Sequence, residues 1–151
     1  MDRAAVREVL DDGTVVLRGE RCSFFYHRPR PGLVAMKIVG PRLDTGELGS
    51  APMDELRGDL SRHAPLEMFI DASEAAGAVV AIQEGWADWF ARHRAELASV
   101  SMLVQGKYMH FTAELVKFFS RTDELIRVYL DVTAFTQALE RAAARPKSRT
   151  R

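Results

Sequence analysis

The 151-residue sequence contains a single cysteine, Cys22, and no asparagine. One cysteine excludes an intramolecular disulfide and any zinc site built from several thiolates. No window approaches the 18 consecutive apolar residues of a membrane-spanning helix. The first residues include Asp2, Arg3 and Glu8 and lack the apolar core of a secretory signal. We therefore expect a cytoplasmic protein, and the lack of asparagine beside abundant alanine and arginine favours a GC-rich bacterial genome.

Sequence motifs for catalysis, phosphate binding and metal binding are also missing. Neither the Gly-x-Gly-x-x-Gly pattern nor the Walker pattern occurs, and no two histidines stand at metal-ligand spacing. The serines, histidines and acids are scattered, so no nucleophile and base can be paired from spacing alone. We therefore expect no enzyme, no cofactor and no metal. The four histidines are His27, His63, His93 and His110.

The composition is that of a folded globular domain, with 47% hydrophobic and 28% charged residues. The 21 basic and 21 acidic residues cancel. Residues 141–151 hold five basic residues and no acid, so the remaining 16 basic residues stand against 21 acidic ones. A mildly acidic body argues against a nucleic-acid partner. We predict one domain over residues 1–144 and a disordered basic tail over residues 145–151.

The first 40 residues predict antiparallel strands. Asp11–Thr14 is a strong turn signal, and Arg28–Gly32 contains two prolines that favour a turn. The aromatic run at Phe24–Tyr26 suits a strand. Residues 1–10 fit either a strand or a short helix. The predicted strands are Val15–Leu17, Cys22–His27 and Leu33–Val39.

Helices and strands then alternate. A helix is predicted near Ser50, with Pro52 in its first turn, and His63-Ala64-Pro65 ends it. Because a crossover helix brings the next strand back parallel, the fold class is α/β: a mixed β-sheet with an antiparallel N-terminal hairpin followed by repeated helix–strand units. The later elements are a strand at Leu66–Asp71, a loop at Ala72–Gly77, a helix at Val79–Leu97, a strand at Val100–Gln105, a helix with Phe111, Leu115, Phe118 and Phe119 on its inner face, a strand at Leu125–Leu130 and a helix at Thr133–Ala144.

This order resembles the STAS domain of bacterial anti-sigma factor antagonists and its SpoIIAA-like relatives. The local similarity is Leu66–Ser73, an apolar strand that ends in Asp-Ala-Ser where the family has Asp-Leu-Ser. The resemblance implies the fold and a role in protein interaction. In the antagonists a serine that opens the next helix is phosphorylated by a partner kinase. Here that place reads Ala78-Val79-Val80-Ala81, so the resemblance implies a module without the phosphorylation switch.

The end of the central strand supplies the first candidate site. Asp71, Ser73 and Glu74 place a hydroxyl between two carboxylates, which could orient a ligand or receive a phosphoryl group. The simpler interpretation is that Asp71 or Ser73 satisfies nearby backbone N–H groups in a turn. Gly77 either caps the following helix or leaves its N–H groups free for an anion.

A second candidate site follows the strand at Val100–Gln105. Lys107, Tyr108 and His110 lie past its carboxyl end, where open α/β sheets bind ligands. The alternative is ordinary polarity of a surface loop. His93 lies on an apolar helix stripe and is expected to be a packed, hydrogen-bonded core residue.

Trp86 and Trp89 form one helical stripe with Phe90. Such a stripe is usually core, but two indoles on one helix could also line an interface or a pocket. The favoured hypothesis is a non-enzymatic interaction module with a protein partner and a homodimer. An alternative is a lipid or small apolar ligand, as the overlap with Sec14-type domains would imply, in a pocket lined by Phe24, Phe25, Trp86, Phe118 and Phe119.

Overall fold

The computed structural model describes residues 6–40, 47–75, 80–121 and 124–145. The described strands form one seven-stranded sheet whose spatial order is the order of the chain, β1 to β7. This agrees with the predicted α/β class and its mixed sheet. The strands are β1 (Val6–Val9), β2 (Val15–Arg18), β3 (Ser23–Arg30), β4 (Leu33–Gly40), β5 (Leu66–Ala75), β6 (Leu97–Leu103) and β7 (Ile126–Tyr129).

The strands β1 to β4 are antiparallel neighbours joined by short turns. Alternation along β3 and β4 sets two faces, because Phe24 opposes Ile38 in the main core while Phe25 opposes Lys37 on the other side. Residues 6–9, which the sequence left undecided, form the edge strand β1. Strand β3 continues through Pro29 to Arg30, so the predicted turn is shorter than expected. A shift in register between His27 and Arg30 accommodates the proline.

The strands β4 to β7 are parallel, and helices make the crossovers between them. One helix was predicted between Ser50 and His63, but the structure has two: Pro52 lies in the first turn of the first, as expected, and the second ends at His63. The helices are α1 (Ala51–Asp54), α2 (Arg57–His63), α3 (Val80–Arg92), α4 (Lys107–Ser120) and α5 (Val132–Ala144).

Two hydrophobic cores lie on opposite faces of the sheet. The larger core packs α1 to α4 against one face, with Tyr26, Met68 and Phe90 among its fully buried side chains. The smaller core lies under α5 and joins Phe135 to Leu33 and Phe69, with Ala142 and Leu103. The rings of Phe69 and Phe135 meet edge to face at 5.7 Å. The helix α5 therefore covers the face that the crossover helices leave open.

Two predicted boundaries and one predicted side-chain orientation are wrong. The central strand β5 runs to Ala75, so Ala72–Ala75 is strand and not loop; Asp71 hydrogen-bonds locally without ending the strand. The helix α3 ends at Arg92, and a 3₁₀ turn at Arg94–Glu96 leads into β6 at Leu97. Phe111 is 62% exposed and does not face the core. The side chains of Leu115, Phe118 and Phe119 lie outside the description.

Candidate functional site

The carboxyl edge of the sheet, where the parallel strands β4 to β7 end, is where the sequence places its candidate residues. Asp71, Ser73 and Glu74 lie within the last part of β5. The Asp71 carboxylate accepts from the Ser73 backbone N–H at 2.9 Å and from the Ser73 hydroxyl at 2.5 Å. Glu74 pairs with Lys37 of the neighbouring strand at 2.7 Å. These polar groups therefore satisfy one another locally, but within a strand and not in the turn that the simpler interpretation assumed.

The pairing between Lys37 and Glu74 has a further electrostatic effect. The hydrogen bond to Glu74 raises the pKa of Lys37, so the Lys37 ammonium stays charged near neutral pH. About half of each side chain is exposed, so this pair contributes little to stability.

The second predicted group lies at the start of α4, at the same edge. Lys107 is exposed, and His110 is half-buried with its Nε2 atom 3.7 Å from an Oε1 atom of Glu114 one turn further along. The structure places Tyr108 in α4 but does not describe its side chain, and Gly77 lies outside the described residues. No contact joins Lys107 or His110 to Asp71 or Ser73, so the two predicted groups are separate.

The tryptophan pair is mainly core. Trp89 is 3% exposed and Phe90 is fully buried, whereas Trp86 is partly exposed and packs on both rings at 5.6 and 5.8 Å. His93 stacks against Trp89 at 4.8 Å, and its Nδ1 atom lies 2.9 Å from an Oε1 atom of Glu96. His93 is therefore packed and hydrogen-bonded, as expected, but its side chain is 28% exposed, so the expectation of a core histidine is wrong.

The carboxyl edge also presents apolar side chains that the sequence did not single out as exposed. Among the described residues, five large hydrophobic side chains are more than half exposed. Three of them, Phe111, Leu130 and Val132, lie just beyond the ends of β6 and β7. The other two, Val6 and Val9, lie on the edge strand β1.

Two grooves lie at the amino edge, where the parallel strands begin. One groove of about 660 Å³ lies between α2 and the turn that joins β3 to β4. In it the Arg28 guanidinium donates to both carboxylate oxygens of Asp59 at 2.9 and 2.8 Å and to Glu55 at 3.3 Å. Desolvation acts to lower the pKa of Arg28, but Asp59 and Glu55 outweigh it and raise the pKa. This network ties β3 to the α1–α2 segment.

A second groove of about 590 Å³ lies under α5, between that helix and the first residues of β5, β6 and β7. At its end Glu67 accepts hydrogen bonds from Arg30 and, at 2.8 Å, from Arg145. Arg30 also donates from Nε to the Ala142 carbonyl at 3.0 Å. Arg145 thus contacts the sheet, while residues 146–151 of the predicted tail lie outside the description.

Sequence reasoning missed both charged networks. The signal was present, because Glu67 interrupts an apolar run and Arg28 and Arg30 alternate with prolines. Nothing in the spacing showed which acids the arginines would meet. In the ranges 6–40, 47–75, 80–121 and 124–145, no three His, Cys, Asp or Glu residues gather as a metal site. No helix within these ranges is long and apolar enough to cross a bilayer.

No family model and no curated protein matches the chain. Among solved structures, it is similar to an uncharacterised protein from Shewanella loihica PV-4, described as a member of the DUF3478 family with a SpoIIAA-like fold. The alignment covers 91% of this chain and 98% of that chain at 16% identity, with a TM-score of 0.49. The description names the fold that the sequence resemblance indicates.

Proposed function

We propose that this chain is a non-enzymatic, STAS-like interaction module that docks a protein partner at the carboxyl edge of its sheet. The observation that carries the proposal is that three side chains, each more than half exposed, follow the ends of the parallel strands β6 and β7: Phe111, Leu130 and Val132. Apolar groups left in water favour association. Aromatic anchors such as Phe111 are enriched in interface cores.

The polar groups near these residues suit a rim rather than a reaction centre. Lys107 and His110 flank Phe111, and charged or polar residues commonly surround the apolar centre of an interface. Asp71 and Ser73 are engaged with each other, and Glu74 is engaged with Lys37, so these polar groups are held locally along the strand. Since Ala78-Val79-Val80-Ala81 offers no hydroxyl, docking on this module would not depend on phosphorylation at that place.

Site-specific photo-crosslinking tests the docking surface. A photoreactive phenylalanine analogue is placed at position 111 and, as the matched control, at position 6, which is equally exposed on the opposite side of the sheet. The proposal expects one protein from the native extract to be captured from position 111 and not from position 6. Equal capture at both positions, or none at position 111, would contradict it.

A second experiment separates docking from folding. Phe111→Ser and Leu130→Ser remove exposed groups, so the free energy of unfolding should change by less than about 0.5 kcal/mol. Capture of the partner should nevertheless fall in both variants. If either variant unfolds the domain, the side chain belongs to the core and the docking surface must lie elsewhere.

The alternative, an apolar pocket lined by five aromatic residues, does not fit the positions of these side chains. Phe24 is buried in the larger core, while its neighbour Phe25 points to the opposite face of the sheet. Two adjacent residues of one strand cannot line a common pocket on one face. The side chains of Phe118 and Phe119 are not described, and Trp86 packs against Trp89 and Phe90.

A further inference from the structure

The sheet side of the groove under α5 combines an aromatic, a hydroxyl and a charged side chain. Phe69 of β5, Ser101 of β6 and Arg127 of β7 are direct neighbours across three parallel strands, and all three face α5. A ring, a hydroxyl and a guanidinium therefore lie side by side. Ala138 and Arg141 of α5, one helical turn apart, line the opposite wall.

The Ser101 hydroxyl is the most informative group in this row. Ser101 is 7% exposed and lines the groove, yet no described residue forms a hydrogen bond with its side chain. A buried polar group without a partner is costly, and most such groups in native proteins have one. A ligand atom in the groove would satisfy it.

Charge indicates what kind of ligand this is. Arg127 and Arg141 line the groove and form no ion pair with any described residue. Of the two acids on the lining, Glu67 is already held by Arg30 and Arg145, and Glu124 is exposed. The groove therefore combines an apolar wall with two uncommitted positive charges.

We propose that this groove binds a small amphiphile with an apolar body and one anionic group, such as a carboxylate. The apolar body packs against Phe69 and Ala138. The anionic head accepts a hydrogen bond from Ser101 and lies between Arg127 and Arg141. The volume of about 590 Å³ is within the usual range for small-molecule sites. This site is at the amino edge and is independent of docking at the carboxyl edge.

Calorimetric titration of the full chain with decanoate, and with decanol as the uncharged probe of equal length, tests the proposal. We expect decanoate to bind and decanol to bind at least about tenfold more weakly, since charge-assisted hydrogen bonds carry the difference. Arg127→Gln, Arg141→Gln and Ser101→Ala should each weaken decanoate binding by about threefold to tenfold. Glu124→Gln should strengthen it, because it removes a like charge.

Two variants complete the design. Ala138→Phe fills the groove and should abolish binding, and Arg57→Gln removes an exposed arginine far from α5 and should leave it unchanged. No binding of decanoate, equal binding of decanol, or normal binding by Ala138→Phe would overturn the proposal. If Ala138→Phe does not fold, the double variant Arg127→Gln with Arg141→Gln decides, and undiminished binding by it would overturn the proposal.

Discussion

Arg28 and Asp59, 31 positions apart, form a two-point ion pair in which the guanidinium donates to both carboxylate oxygens at 2.9 and 2.8 Å. Among the described residues, Asp59 is the only charged residue that is buried, at 7% exposure. A parallel pair of hydrogen bonds fixes both direction and distance. The pair therefore holds α2 against β3 and sets the width of the first groove.

We expect Asp59→Asn to lower the free energy of unfolding by about 1–3 kcal/mol, because it leaves a half-buried arginine short of its counter-charge. Chemical denaturation measures the change. The matched control is Arg57→Gln, which removes a largely exposed ion pair with Asp54. It should lower the free energy of unfolding by less than about 0.5 kcal/mol. Equal losses in the two variants would show that the Arg28 pair has no special role.

The Glu47 carboxylate clamps the turn between β2 and β3. It accepts from the backbone N–H groups of Arg21 at 2.8 Å, Cys22 at 2.9 Å and Glu20 at 3.1 Å. A Cβ atom at Gly19 would collide with the Glu47 carboxylate, so a side chain there would push the carboxylate out of its place. Desolvation acts to raise the pKa of Glu47, but the hydrogen bonds from Arg21 and Cys22 outweigh it and lower the pKa.

This lowered pKa predicts a pH dependence of stability. The folded state binds the Glu47 proton less tightly than the unfolded state does. The charged Glu47 carboxylate therefore makes its full contribution to the stability of the fold above the ordinary pKa of 4.5. Its contribution is lost as the pH falls through the lower folded value. We expect Glu47→Gln to be less stable than the parent at pH 7 and the gap to shrink steadily below about pH 4.5. A gap that is constant over this range would contradict the assignment.

The two tryptophans should differ in their fluorescence and in how much each contributes to the free energy of unfolding. Trp86→Phe leaves only Trp89, so emission should be blue-shifted and resistant to iodide quenching. Trp89→Ala should lower the free energy of unfolding by about 3–5 kcal/mol, because it leaves a large cavity in the core. Trp86→Ala should lower it by less. Strong quenching of the Trp89 signal in the folded protein would mean that the indole is not in the core.

The proposed homodimer should not form through β1. Two-fold symmetric antiparallel pairing puts residues of the same face opposite each other, so pairing centred on the strand sets Arg7 against Arg7 or Glu8 against Glu8. Like charges directly opposite are unfavourable. By light scattering, we expect Glu8→Lys to keep the mass of the parent protein. Dissociation by Glu8→Lys alone would contradict this.

Much of the fold could be predicted because its signals are local. The alternation of Leu33–Val39 and the proline in the first turn of α1 each depend on a few neighbouring residues. The end of β5 was misplaced because Ala72–Ala75 has loop-like composition, and pairing with β4 keeps it extended. Phe111 was assigned inward because spacing alone does not say which side of a helix meets the sheet.

The charged networks could not be predicted from the sequence for a different reason. Arg30 and Glu67 are 37 positions apart, and Arg28 and Asp59 are 31 apart. Each pair forms only after β4 and α2 are in place. Long-range partners of this kind follow from the register of the sheet, which no short window contains.

The uninterrupted strand order β4-β5-β6-β7 has one more consequence. In open α/β sheets the crevice at the carboxyl ends opens at a topological switch point, where successive crossovers leave towards opposite faces. Here every crossover helix packs on the same face, so no such divergence occurs. The described part of the sheet consequently lacks the switch-point crevice in which such folds hold small ligands, and the two grooves described above lie at the other edge.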